Sequence, residues 1–269
     1  MGGGKVGGGK RHGSWSPASV FRLSKADYVT VVNIGLGVLA MMYTFDATPF
    51  SLRIGAAVVF VVLILDGVDG LLARKYGASP VGRYLDSLSD EISFVAVPSL
   101  FVYVAAYRPG LSALRDFHNF VVVSSIVLYA SLGSLRLAVI SLSESTGKRF
   151  FVGAPVSVVM TMVFSACMFL LPDNSWPYFA DGFEMILPAI LLFTSPMLVL
   201  SVEYPRFDTP IRLLVAGTVL SFGITGVVLP VFFRWASLLS FSAGCLVFIS
   251  SIAYLLSPLF IGRRLERKK

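Results

Sequence analysis

Charge is scarce in this chain. Asp, Glu, Lys and Arg make up 14% of its 269 residues, where soluble globular proteins carry roughly a quarter, and that shortfall argues against an ordinary soluble fold. Cysteine is scarcer still. Cys167 and Cys245 both fall inside apolar runs, so there is no CxxC spacing and no disulfide framework, and each thiol behaves as a small hydrophobe. The first fourteen residues, MGGGKVGGGKRHGS, hold no apolar core of the kind a signal peptide requires. No heptad seam and no strong internal repeat stand out. No basic face interleaved with aromatics lies outside the apolar runs, which leaves a nucleic-acid partner without support. The histidines are expected in a solvated tail (His12) and an outer loop (His118).

What the chain has instead is 56% hydrophobic residues, gathered into blocks about as long as a bilayer is thick. Eight candidate spans cover about 28–45, 50–72, 88–107, 119–143, 152–172, 183–202, 211–233 and 236–260. The fold class this predicts is an all-α polytopic membrane protein. With the N-terminus inside, seventeen Lys and Arg residues fall on the inner side against four on the outer side, with Arg136 inside a span. That asymmetry places both termini in the cytoplasm. The predicted organisation is a disordered basic tail over 1–15, which anionic lipid headgroups would attract, and a lead-in over 16–27. The lead-in reads equally as an interfacial helix or as ordinary polar chain. A six-helix membrane core follows over 28–205, then two additional spans over 206–260 and a basic tail over 261–269. Trp176 and Tyr178 suit an outer interfacial loop.

Residues 65–90, LDGVDGLLARKYGASPVGRYLDSLSD, depart from this apolar background. Asp66 and Asp69 follow VVFVVLIL directly at the inner end of the second span, and Asp86 and Asp90 open the third. Helical spacings of three and four put each pair on one face, and a hairpin brings the pairs together at the inner membrane edge. Four crowded carboxylates repel one another in a low-dielectric surround. A hard divalent cation relieves that repulsion, since Mg²⁺, Mn²⁺ and Ca²⁺ take oxygen ligands. Two cations on four side chains suit phosphate chemistry. Gly70 and Ala73 leave a groove for close approach to the backbone, and Arg74 offers a fork of donors to a phosphate. Gly77, Pro80 and Gly82 form the turn between the spans. The plainer reading, aspartates merely paired with Arg74, Lys75 and Arg83, suits one carboxylate better than four in register.

The pattern Asp66-x-x-Asp69-Gly70-x-x-Ala73-Arg74, then Gly82-x-x-x-Asp86-x-x-x-Asp90, resembles the signature of the CDP-alcohol phosphotransferase family. Further segments resemble its integral-membrane phosphatidylserine synthase branch: Thr30-Val-Val-Asn33-x-x-x-Gly37, Leu85–Asp90 with Ser93-Phe94 and Pro98, Ser134–Ala138, and Phe151-x-Gly153-x-Pro155. The resemblance covers about residues 26–205. It implies that Asp66, Asp69, Asp86 and Asp90 bind two Mg²⁺ or Mn²⁺ ions and that Asp90 is the base that takes the acceptor's proton. It also implies that Gly70, Ala73, Arg74 and Gly82 cradle the CDP moiety of a CDP-activated lipid, that CMP is released, and that the protein is a homodimer. Serine is the acceptor it favours. Glycerol phosphate, inositol phosphate or another small alcohol is the alternative within the class, and a cation transporter using the aspartates is the alternative outside it.

Outside the motif, Arg136 is costly within a span unless paired or facing a polar cavity. It is a candidate for the acceptor's carboxylate, the alternative being an ion pair with one of the aspartates. Lys148 and Arg149 are acceptor candidates too, or simply topology-setting residues. Asn33 is read as a ligand to the CDP-lipid or as a bond to another helix, with Thr30 a weaker candidate. Glu91 follows Asp90 on a different face and is expected to be structural.

Overall fold

The eight apolar runs become eight helices among the described residues. In the computed structural model these residues are 23–77, 79, 81–110, 116–143, 150–170, 185–205, 210–232 and 237–266. The helices are α1 (Lys25–Phe45), α2 (Pro49–Tyr76), α3 (Gly82–Ala106), α4 (Phe117–Ser143), α5 (Val156–Leu170), α6 (Ile186–Val199), α7 (Pro210–Phe232) and α8 (Ser237–Glu266). Among the described residues, five segments are long and apolar enough to cross a membrane: α1, α2, α3, Phe117–Leu142 of α4 and Leu239–Pro258 of α8. The tail 1–15, residues 16–22 of the lead-in, Pro80, Lys148, Arg149, Trp176, Tyr178 and the last three residues lie outside the described residues.

Local chemistry sets the ends. Ser24 and Asp27 form a reciprocal cap on α1: the Ser24 amide donates to Asp27 Oδ2 at 2.6 Å and the Asp27 amide to Ser24 Oγ at 3.3 Å. Residues 25–27 of the expected lead-in are thus the first turn of a span. Thr48 caps α2, with Pro49 at its first position, where a missing N–H costs nothing. Gly77, at φ 85°, ends α2 in a backbone region that favours glycine. α8 runs six residues into the expected basic tail, whose Arg and Glu residues are good helix formers.

α5 begins later, and α6 ends earlier, than the apolar runs that announce them because the chain beside them pairs differently. β1 (Phe150–Val152) and β2 (Glu203–Pro205) lie antiparallel, Phe151 opposite Tyr204. The Gly153 amide donates to Val202 O at 2.8 Å and the Ala154 amide to Met197 O at 2.9 Å. The loops that join α4 to α5 and α6 to α7 are therefore tied together.

α1 carries an inward stripe of small and polar residues: Ala26, Asp27, Thr30, Asn33, Gly37, Ala40 and Thr44. Its large apolar side chains, among them Tyr28, Val32, Met42 and Phe45, point outward. A helix in lipid gains little by hiding leucine, so small residues that permit close approach line the seams instead. The apolar core fills the space behind, with Phe60, Phe101, Phe164 and Leu191 fully buried. α7 packs on α2, and α8 on α5.

Candidate active site

α2 has 28 residues, about 42 Å of helix at 1.5 Å per residue, against roughly 30 Å of hydrocarbon in a bilayer. Its last turn bears the exposed Arg74, Lys75 and Tyr76, with the Lys75 ammonium 5.3 Å from the Tyr76 ring centroid. Asp66 lies ten residues before that end, so it is recessed by about 15 Å along the helix, and Asp69 by about 10 Å. The connection to α3 is short, and Gly82 is already its first residue rather than part of the turn. The Gly82 amide reaches Ser79 Oγ at 2.9 Å.

This hairpin brings together the residues that spacing predicts. Carboxylate oxygens of Asp66, Asp69 and Asp86 lie within 4.8 Å of one another, and the Asp90 carboxyl is in hydrogen-bonding contact with that of Asp66. Asp90 Oδ1 is buried and has no hydrogen-bond partner. A buried, unpartnered carboxylate oxygen beside three further carboxylates is an arrangement that a hard cation completes. The donors offered are all oxygen, so the residues fit Mg²⁺ or Mn²⁺.

α1 closes one side of the cluster. Thr30 Oγ1 lies 2.9 Å from Asp69 Oδ2 and 3.2 Å from its own helix's Ala26 carbonyl. Asp69 is 4% exposed, and a hydroxyl bonded to a buried carboxylate contributes about 1.5–3 kcal/mol. One turn further along α1, Asn33 is 1% exposed, and neither of its amide atoms has a partner. Ser89 Oγ and Ser93 Oγ, also buried, share that condition.

The two motif glycines differ. A Cβ on Gly70 would meet nothing within 4 Å, whereas one on Gly82 would collide with the Asp27 carboxylate. Gly70 thus leaves open space above α2, and Gly82 makes room for a side chain of α1. Arg74 folds back so that its Nε donates to the Gly70 carbonyl at 3.2 Å, and Ala73 is half-buried beside it. Sequence reasoning misses Asp27 at this place, although Ser24-x-x-Asp27 is a capping signal.

Arg136 is 3% exposed, and its Nη2 donates to the Gly153 carbonyl at 3.3 Å. Its guanidinium therefore braces the segment that β1 and β2 tie down. Glu91 accepts from Ser134 Oγ at 2.6 Å, the structural role expected of it.

A sequence profile described as CDP-alcohol phosphatidyltransferase matches residues 23–200. The chain is 27% identical over 203 residues to the CDP-diacylglycerol–serine O-phosphatidyltransferase of Methanocaldococcus jannaschii, covering 75% of this chain and 84% of that one. It is 30% identical over 189 residues to the archaetidylserine synthase of Methanothermobacter thermautotrophicus, covering 68% and 70%. It is also 30% identical over 172 residues to a Helicobacter pylori CDP-diacylglycerol–serine O-phosphatidyltransferase, covering 63% and 68%.

Proposed function

The chain belongs to the CDP-alcohol phosphatidyltransferase family, an integral membrane enzyme family, and we propose that it transfers the phosphatidyl group of a CDP-activated lipid to the hydroxyl of L-serine, releasing CMP. CDP-diacylglycerol and CDP-archaeol are the candidate donors. The observation that carries the reading is the convergence of Asp66, Asp69 and Asp86 within 4.8 Å, with Asp90 against Asp66. The serine transferases among its relatives favour serine as the acceptor.

In this reading Asp66, Asp69, Asp86 and Asp90 hold two divalent cations, Mg²⁺ or Mn²⁺, which supply positive charge against the pyrophosphate of the CDP-lipid. The open face at Gly70, with Ala73 and Arg74, takes the nucleotide end. Asn33 adds an amide with unused hydrogen-bonding capacity, and Gly82 acts by admitting Asp27. Asp90 accepts the proton of the serine hydroxyl as that oxygen bonds to the lipid-side phosphorus. The bond from that phosphorus to the bridging oxygen breaks, and its electron pair leaves on the phosphate of CMP. Arg136, Lys148 and Arg149 meet the acceptor's carboxylate. The termini and the site face the cytoplasm, residues 28–205 form the catalytic core with 206–260 an addition to it, and the protein works as a homodimer.

The test supplies purified protein in lipid with a CDP-lipid, Mn²⁺ or Mg²⁺ and one acceptor at a time, following CMP and lipid product. CMP with serine supports the reading. CMP only with glycerol phosphate or inositol phosphate keeps the chemistry and overturns serine. Failure of folded protein to release CMP with any acceptor overturns the transferase reading and revives that of a cation site for transport.

A further inference from the structure

α3 is not a uniform helix. Gly82–Asp90 is α-helical, Glu91–Ala96 is a π-turn, and the α-helix resumes at Val97. The Val97 amide donates to the carbonyl five residues back, Ile92 O, rather than four. A π-turn inserts about one extra residue, and each residue of an α-helix turns the chain by about 100°. The turn therefore sets how the segment bearing Asp86 and Asp90 is rotated relative to the embedded remainder of α3, whose Val97, Phe101 and Val102 are fully buried.

On one side the turn is held by α4. Pro98 has no N–H, so the Phe94 carbonyl four residues earlier cannot receive its usual helical bond. Tyr129, fully buried, donates its phenol to that carbonyl at 2.5 Å. A Cβ on Gly133 would stand 3.1 Å from Val95 Cγ2, and Ser134 Oγ donates to Glu91 Oε1 at 2.6 Å. From the other side α1 approaches at Gly37, where a Cβ would lie 2.9 Å from Ser93 Oγ and 3.1 Å from Ile92 Cγ2. Glycine stands on both flanks, so the turn is gripped by backbone on each.

From this we infer that Tyr129 and Ser134 of α4, acting through the Phe94 carbonyl and Glu91, are positioning residues that lock the π-turn and so aim Asp86 and Asp90 at Asp66 and Asp69. The inference deepens the proposed reaction and rests on it only for the carboxylates' role; the aim itself is a matter of geometry. Three backgrounds test it: the double variant Tyr129→Phe/Ser134→Ala, the single variant Ser134→Thr, and deletion of Ile92, which removes the extra residue. In each, Asp69→Cys and Asp86→Cys are joined by a short bifunctional thiol reagent, with Cys167 and Cys245 changed to Ala. Cross-linking is expected to fall at least about threefold in the double and deletion variants, and Ser134→Thr, which keeps the hydroxyl, retains it. In parallel, Mn²⁺ binding to chains with native carboxylates, read by electron paramagnetic resonance, is expected to need about tenfold more metal in the double variant, as for loss of groups that orient metal ligands. If the deletion variant does not fold, the double variant carries the test. Equal cross-linking in the double variant and the parent overturns the inference. A parent that binds no Mn²⁺, with cross-linking still sensitive to the double variant, retires the metal reading and leaves the positioning intact.

Discussion

The two arms of the carboxylate cluster are built differently. Asp66 and Asp69 ride an uninterrupted α-helix, where a spacing of three suffices to put both on one face, and α1 adds a single hydroxyl from Thr30. Asp86 and Asp90 ride a short α-helical segment joined to the rest of α3 through a π-turn, and α4 grips that turn. One arm is specified by local periodicity, the other by tertiary contact. Variants acting on the first arm should alter ligands directly, whereas the second arm can be disturbed from a neighbouring helix.

The largest effect is expected from removing ligands. Asp66→Asn or Asp69→Asn should weaken Mn²⁺ binding and lower CMP release by about two to three orders of magnitude, the range that loss of electrostatic stabilisation reaches. Asp90→Asn should instead keep CDP-lipid binding and lose most turnover; a variant that turns over like the wild type removes Asp90 as the base. Next comes Thr30→Val, which leaves a 4%-exposed carboxylate without its hydroxyl donor and should weaken Mn²⁺ binding about tenfold. An unchanged binding curve would make the Thr30 contact incidental.

The two motif glycines sharpen the comparison further. Gly82→Ala drives a Cβ into the Asp27 carboxylate and should cost about 1–3 kcal/mol of stability, as overpacking does, read as a drop in thermal midpoint in lipid or detergent. Gly70→Ala meets nothing, so its thermal midpoint should hold while the KM for CDP-lipid rises. The reverse pattern would make Gly82 the ligand-facing glycine and Gly70 the packing one. Smallest is Ser24→Ala, which removes half of the reciprocal cap on α1 and should cost about 1 kcal/mol, again visible in the thermal midpoint.

The eight helices are legible in the sequence as apolar runs, although only five among the described residues are long and apolar enough to cross a membrane. The carboxylates are legible because three- and four-residue spacings translate directly into helix faces. The π-turn escapes because the same translation assumes 3.6 residues per turn throughout. Its cue, Pro98 four residues after Phe94, becomes informative only once a donor such as Tyr129 is seen to replace the missing N–H. In sequence, Tyr129 looks no different from the many aromatics that face lipid or packing surface. Gly82 reads as a place for ligand approach, and a sequence gives no way to know that Asp27 fills that space. The β1–β2 pairing joins residues more than fifty positions apart, beyond the reach of any local pattern.

That pairing bears on how the chain is made. Ribosomes deliver residues in order, and every side chain of the carboxylate site and of its clamps on α1 and α4, from Ser24 to Ser134, precedes β1. The Gly153 and Ala154 amides, by contrast, find their partners at Val202 and Met197, so this tie closes only after α6 has been synthesised. The half that bears the carboxylates can be assembled first, and the strand pair is then a late fastening that joins the second half of the bundle to it.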